Sequence, residues 1–223
     1  MTDKNLTEIV AILDRSGSME SLKSETIKGF NAFIAEQKKN PGKALLTLVQ
    51  FDNQYQIDYE GVDINDAKPL DENSYCPRGW TALFDAVGKT VKTVGERLSK
   101  TDEDKRPGQV IFVIVTDGVE NASKEFVGDK IREMVKHQEE NYQWTFVFLG
   151  GGDLSAQTQQ ARHLGINSSN TYGYSTNAVG TQAMYSNVSK GVSRRRVAAF
   201  KGMEVDTKGA LLTDDEKKEL INN

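Results

Sequence analysis

The chain has 223 residues, of which 37% are hydrophobic and 27% charged, with a formal net charge of -4 at pH 7. That length and balance suit one soluble globular domain, and the mild acidity removes any general attraction to nucleic-acid phosphates or anionic lipid. The longest apolar stretches are strand-sized, far short of the ~20 consecutive apolar residues of a spanning helix, so neither nucleic acid nor membrane is expected as a partner. Residues Met1-Thr2-Asp3-Lys4-Asn5 carry no basic region feeding an apolar stretch. Cys76 is the only cysteine, which excludes an internal disulfide and fits a reducing compartment. A cytoplasmic setting is expected.

Residues 8–13 form the first apolar run, continuous rather than alternating, as for a strand covered on both faces. It ends in Asp14-Arg15-Ser16-Gly17-Ser18. Ile27, Phe30 and Ile34 then recur at spacings of three and four, which marks a helix. Residues 44–51 read as a second strand, and 54–59 as another that follows too closely for a crossover helix, which predicts a hairpin and an antiparallel edge strand. Residues 65–80, with Pro69 and Pro77, form a long surface loop that delivers Gly79 and Thr81 to the sheet edge.

Leu83, Val87, Val91, Val94 and Leu98 mark the next helix. Residues 110–115 form a strand that ends in Thr116-Asp117-Gly118, Ile131, Met134 and Val135 mark a third helix, and 145–149 give another strand. Gly150-Gly151-Gly152-Asp153 turns the chain into a helix over 154–164 that stops at Gly165. A short strand is predicted at 172–174 and a helix over 178–200. Residues 201–223 read as a charged tail with at most a short helix after the capping pattern Thr213-Asp214-Asp215-Glu216.

Strands alternating with amphipathic helices imply crossover connections. The expected fold is α/β: a three-layer, doubly wound, Rossmann-like and mostly parallel sheet with one antiparallel edge strand and helices on both faces. Residues 5–200 form the domain and 201–223 the tail.

Asp14, Ser16 and Ser18 place a carboxylate and two hydroxyls at one strand end, while Gly17 leaves the backbone free to fold around them. Asp117 ends a second strand, and Thr81 offers a hydroxyl just ahead of a helix. Ligands of open parallel sheets gather at such strand ends, and two converging carboxylates favour a divalent cation between them. The donors are all oxygens, with no sulfur or imidazole.

Asp14-x-Ser16-x-Ser18, Thr81 within Gly79-Trp80-Thr81-Ala82-Leu83-Phe84-Asp85-Ala86, and Asp117 within Thr116-Asp117-Gly118 resemble the von Willebrand factor A domain with its metal-ion-dependent adhesion site. The resemblance implies that Ser16, Ser18 and Thr81 give hydroxyl oxygens to the metal. Asp14 and Asp117 would hold it largely through water and through hydrogen bonds to the serines. It implies magnesium, with manganese or calcium as substitutes, and a coordination position left for an Asp or Glu carboxylate of a protein partner. It also implies a binding or scaffold domain rather than an enzyme, in a bacterial or phage system. Trp80 departs from the family, where many relatives have a small residue; it either joins the contact surface or packs on its loop.

A magnesium-dependent phosphohydrolase is the alternative, since such enzymes also place an aspartate nucleophile at the tip of the first strand. That chemistry calls for a second carboxylate two residues on, where this chain has Ser16, and for a lysine. Thr81 also suits an ordinary helix N-cap. The glycine run at 150–152 lacks a phosphate-binding pattern and reads as structural. Arg194-Arg195-Arg196 reads as a solvated face or a set of ion pairs. His137, His163 and Cys76 have no partners at ligand spacing. Asp85 and Glu120 are either outer neighbours of the cation or plain carboxylates at a helix start.

Overall fold

The computed structural model describes residues 1–221, in which strands and helices alternate as β1 (Asp3–Asp14), α1 (Lys23–Lys39), β2 (Lys43–Phe51), β3 (Tyr55–Asp63), α2 (Leu83–Lys100), β4 (Pro107–Thr116), α3 (Gly128–Tyr142), β5 (Thr145–Gly151), α4 (Leu154–His163), β6 (Thr171–Tyr174), α5 (Ala178–Phe200) and α6 (Asp214–Ile221). The sheet order is β3-β2-β1-β4-β5-β6. Only the β2–β3 pair is antiparallel among these neighbours, and it forms the expected edge hairpin. Asp52 makes its turn: the carboxylate accepts from Gln54 N at 2.5 Å, the local bond by which Asp favours turns.

The continuous apolar runs are explained by what covers them. Ile9, Ala11, Leu13, Leu46, Leu48, Ile111 and Val113 face a core shared with α1 and α5, through Phe30, Phe33, Met184 and Val188. Val10, Ile12, Val49, Phe112, Ile114 and Phe146 face the other core, under α2 and α3, through Leu83, Val87, Val91, Ile131 and Val135. Alternate residues of one strand thus serve opposite layers, which confirms the three-layer reading.

β1 begins at Asp3, earlier than the apolar run, because Asp3-Lys4-Asn5 is polar and lies at the exposed end of the strand. Beyond Phe200 the chain buries Leu211, Leu212 and Leu220 in the core on the α1 and α5 side. Thr213 and Glu216 form a reciprocal cap on α6, with Glu216 N donating to Thr213 Oγ1 at 3.3 Å and Thr213 N to Glu216 Oε2 at 2.9 Å. The last two residues of the expected tail lie outside the described ones.

The arginine triplet does not form a solvated face. Arg194 pairs with Glu216 at 2.6 Å, but Arg195 and Arg196 are buried. Arg195 donates to Thr145 Oγ1 at 2.6 Å and Gly209 O at 2.7 Å, and Arg196 donates to Gln37 O at 2.5 Å. A cation on the carbonyls that close α1 is well placed for the negative end of that helix.

Candidate metal site

β1 and β4 are neighbours, and their last paired residues are Leu13 and Val115. Asp14 and Thr116, the last residues of the two strands, therefore lie side by side at the sheet's edge, at the point where the strand order reverses: the crossover from β1 leads to β2 on one side, and β4 lies on the other.

The bonds around Asp14 fix its carboxylate. Ser16 N donates to Oδ1 at 2.6 Å and Thr116 Oγ1 donates to Oδ2 at 2.5 Å. Tyr75, which is fully buried, donates its hydroxyl to the Asp14 carbonyl at 2.6 Å. Ser16 Oγ lies 3.1 Å from Ser18 Oγ, and Ser18 Oγ donates to Asp117 Oδ1 at 2.5 Å. Four of the five expected residues are thus joined directly by hydrogen bonds around the ends of β1 and β4.

Thr81 reaches the same space. An ideal Cβ built on Gly118 would lie 2.6 Å from Thr81 Oγ1 and 3.4 Å from Asp14 Oδ2, so the space between these oxygens is one that even a methyl group would enter. Thr81 does not act as the helix cap. Its backbone is held instead by Asn121: Thr81 N donates to Asn121 Oδ1 at 2.9 Å, and Asn121 N donates to Thr81 O at 3.0 Å. Gly79 supplies the turn before it, with φ +66 and no room for a Cβ, which would sit 2.1 Å from Asn53 Oδ1.

Asp85 and Glu120 brace the loop between β4 and α3. Asp85 accepts from Lys124 N, Glu125 N and Phe126 N at 2.8–2.9 Å. Glu120 accepts from Phe84 N at 2.8 Å, Ala122 N at 2.9 Å and Ser123 N at 2.8 Å. Burial pushes the Asp85 carboxyl up, but the three backbone donors outweigh it and hold the group below the usual range.

The carboxylates of Asp14 and Asp117 behave in the opposite way. Burial pushes Asp14 up to about 6, against the hydrogen bonds from Thr116 and Ser16, and burial raises Asp117 as well. Among the described residues no Lys or Arg nitrogen forms an ion pair with either. Arg15, the residue next to Asp14, turns to Asp52 at 3.2 Å and Gln56 at 2.6 Å. Two carboxylates and three hydroxyls with no compensating cation are a donor set suited to a hard divalent ion. No group of three or more His, Cys, Asp and Glu side chains that could hold a metal comes together among the described residues.

Sequence reasoning passed over Thr116, Tyr75 and Asn121, which hold Asp14 and Thr81 in place. Thr116 was visible as the residue before Asp117, since its register opposite β1 follows once β1 and β4 are neighbours. Tyr75 lies in a long loop far from either strand, and no periodic signal marks it. Elsewhere, Asp153 caps α4 by accepting from Ser155 N at 2.8 Å, in line with a structural role for the preceding glycines.

Residues 8–185 match the family model of the von Willebrand factor type A domain. None of the curated proteins matches the chain. Among solved structures, proximal thread matrix protein 1 from the mussel byssus is similar at TM-score 0.56 and 15% identity, over 87% of this chain and 46% of that one. A second structure of it has a zinc-occupied MIDAS motif, similar at TM-score 0.56 and 14% identity, over 84% of this chain and 46% of that one. The von Willebrand domain of the type V pili tip protein Mfa5 from Porphyromonas gingivalis is similar at TM-score 0.58 and 9% identity, over 84% of this chain and 95% of that one. The chain spans less than half of the mussel protein, and identities this low speak for the fold. No helix among the described residues is long and apolar enough to cross a membrane. By its sequence match over residues 8–185 and by its sheet, the chain belongs to the von Willebrand factor type A domain family.

Proposed function

We propose that Asp14, Ser16, Ser18, Thr81 and Asp117 hold a divalent cation, magnesium with manganese or calcium as substitutes, and that the chain binds a protein partner through an Asp or Glu carboxylate. The observation that carries this reading is the space over Gly118, bounded by Thr81 Oγ1 and a wholly buried Asp14 carboxylate that has no cationic partner. The zinc-occupied MIDAS motif of the mussel protein supports it by likeness of fold.

When bound, the cation supplies a positive centre that accepts the partner's carboxylate. The chain's own residues set up that centre. Thr116 and the Ser16 amide orient Asp14, Ser18 orients Asp117, and Asn121 fixes the backbone of Thr81. Family membership favours a protein-interaction role over catalysis. Nothing favours the phosphohydrolase alternative: Ser16 stands where a general acid would be needed, and no lysine pairs with Asp14 among the described residues. The sole cysteine, Cys76, remains the support for a cytoplasmic setting.

The test is calorimetric titration of the whole chain with magnesium, followed by capture of an acidic partner or peptide with and without EDTA. Ser16→Ala with Ser18→Ala should abolish both while the fold survives. Magnesium-dependent turnover of a generic phosphate ester, lost in Asp14→Asn, would replace this reading with the enzymatic one.

A further inference from the structure

Large apolar side chains stand in solvent around the proposed cation site. Trp80, immediately before Thr81, is 68% exposed, and Val119, immediately after Gly118, is 53% exposed. They therefore flank the Thr81–Gly118 contact. Val127 caps α3 while Leu154 and Val179 open α4 and α5, all three exposed. Helix N-termini in a parallel α/β sheet lie at the carboxyl edge of the strands, so these residues share the edge that holds Asp14 and Asp117.

Trp80 is not spare loop filling. Its backbone is held, with Trp80 N 3.4 Å from Asn53 Oδ1 and Gly17 N donating to Gly79 O at 3.2 Å. Its ring takes part in none of the ring or cation contacts of the described residues, whereas Trp144, 5% exposed, stacks on Phe112 with centroids 5.3 Å apart. An exposed aromatic ring with no ring or cation partner is a characteristic interface anchor. The helix ends at this edge are already met by carboxylates, Asp85 in α2, Asp129 in α3 and the Asp153 cap of α4, so it is the proposed cation that makes the edge complementary to an anionic guest.

We infer that the partner presents its carboxylate on a segment whose neighbouring residues are large and apolar, and that these lie on Trp80 and Val119. This rests on the cation reading and names the chemistry around the carboxylate. Trp80 is then a specificity determinant: the cation takes any exposed carboxylate, and the indole selects among them.

The test uses the whole chain loaded with magnesium and three acetylated, amidated pentapeptides: Gly-Gly-Asp-Gly-Gly, Gly-Leu-Asp-Phe-Gly and Gly-Leu-Asn-Phe-Gly. Binding is followed by calorimetry and by the NMR shift of the Trp80 indole N–H. Gly-Leu-Asp-Phe-Gly should bind about tenfold more tightly than the glycine peptide, and EDTA or the Asn peptide should lose the binding. Trp80→Ala should remove the tenfold advantage yet leave the affinities for magnesium and for Gly-Gly-Asp-Gly-Gly unchanged, while Trp80→Phe keeps most of it. Equal affinities of the two acidic peptides, or an advantage that survives Trp80→Ala, overturn the inference and leave the cation reading standing. Acidic-peptide binding that persists in EDTA, or no binding by either acidic peptide, overturns both.

Discussion

Ser18 Oγ donates to Asp117 Oδ1 at 2.5 Å, tying the turn after β1 to the loop after β4. Both are proposed ligands, so the bond sets their separation before any ion arrives. Ser18 is exposed, and its loss opens no cavity. Ser18→Ala should therefore change stability by only about 1 kcal/mol while magnesium affinity falls by about tenfold or more. Thermal unfolding and calorimetry on the same preparation read the two effects. A large loss of stability would show that the bond serves the fold instead.

Asp14 predicts an unusual response to acid. Its carboxyl is raised by burial from 3.8 to about 6, so the folded chain holds the proton more tightly than the unfolded one. The cost of ionising it is absent below about pH 4, grows between 4 and 6, and is complete above 6. In EDTA this group alone should make the protein more stable at pH 5 than at pH 7, on the order of 2–3 kcal/mol across the whole window. Asp14→Asn should flatten that limb. Magnesium competes with the same proton, so its affinity should fall about tenfold per pH unit below 6. Unfolding midpoints in EDTA from pH 4 to 7 would contradict this if wild type and Asp14→Asn ran parallel.

Asp85 should have the reverse pH dependence. Three backbone donors hold its carboxyl below the usual range despite burial, so its contribution is present at neutral pH and is lost as pH falls below about 4. Asp85→Ala leaves three amides without their acceptor and should cost about 2–3 kcal/mol in urea unfolding at pH 7. The loop it braces includes Asn121 and leads back to Gly118, so magnesium affinity should weaken as well. Hydrogen exchange at Lys124, Glu125 and Phe126 would speed up if these bonds form in solution.

The five proposed ligand residues stood out in the sequence because each lies at the end of a strongly patterned element, and the fold brings those ends to one edge of the sheet. The run before Asp14, the run before Asp117 and the helical period after Thr81 all announce where the chain stops being buried. The sheet followed from the same signals, including the edge hairpin at Asp52-Asn53. What the sequence concealed were contacts between distant segments. Tyr75 sits under Asp14 by virtue of a long loop with no period, and Asn121 meets Thr81 only after the crossover closes. Arg195 and Arg196 looked solvated because charge is usually exposed, yet carbonyls of α1 and of the segment after α5 accept their donors.

The segment after α5 gives a stability prediction independent of the metal. Leu220 is 1% exposed, Leu211 3% and Leu212 2%, and Arg194 with Glu216 fastens α6 to α5. Leu220→Ala should cost about 2–4 kcal/mol, as for other buried leucines. Magnesium affinity measured well below the unfolding midpoint should be unchanged, because none of these residues is among the proposed ligands. A loss below about 0.5 kcal/mol would mean that α6 is not docked in solution.

Gly118 separates the shape of the proposed cation site from its chemistry. A Cβ there would meet Thr81 Oγ1 at 2.6 Å and Asp14 Oδ2 at 3.4 Å, and φ at this position is not in the left-handed range. Alanine is therefore compatible with the backbone, and every proposed ligand stays in the chain. Gly118→Ala should keep the strand and helix content and lower magnesium affinity by about tenfold or more, because the methyl group occupies the space between two proposed ligands. Manganese and calcium should lose affinity together with magnesium, since the obstruction is steric and not selective for charge. Circular dichroism and calorimetry decide the case: a folded Gly118→Ala protein that binds magnesium as tightly as the unaltered chain would place the ion somewhere other than between Asp14 and Thr81.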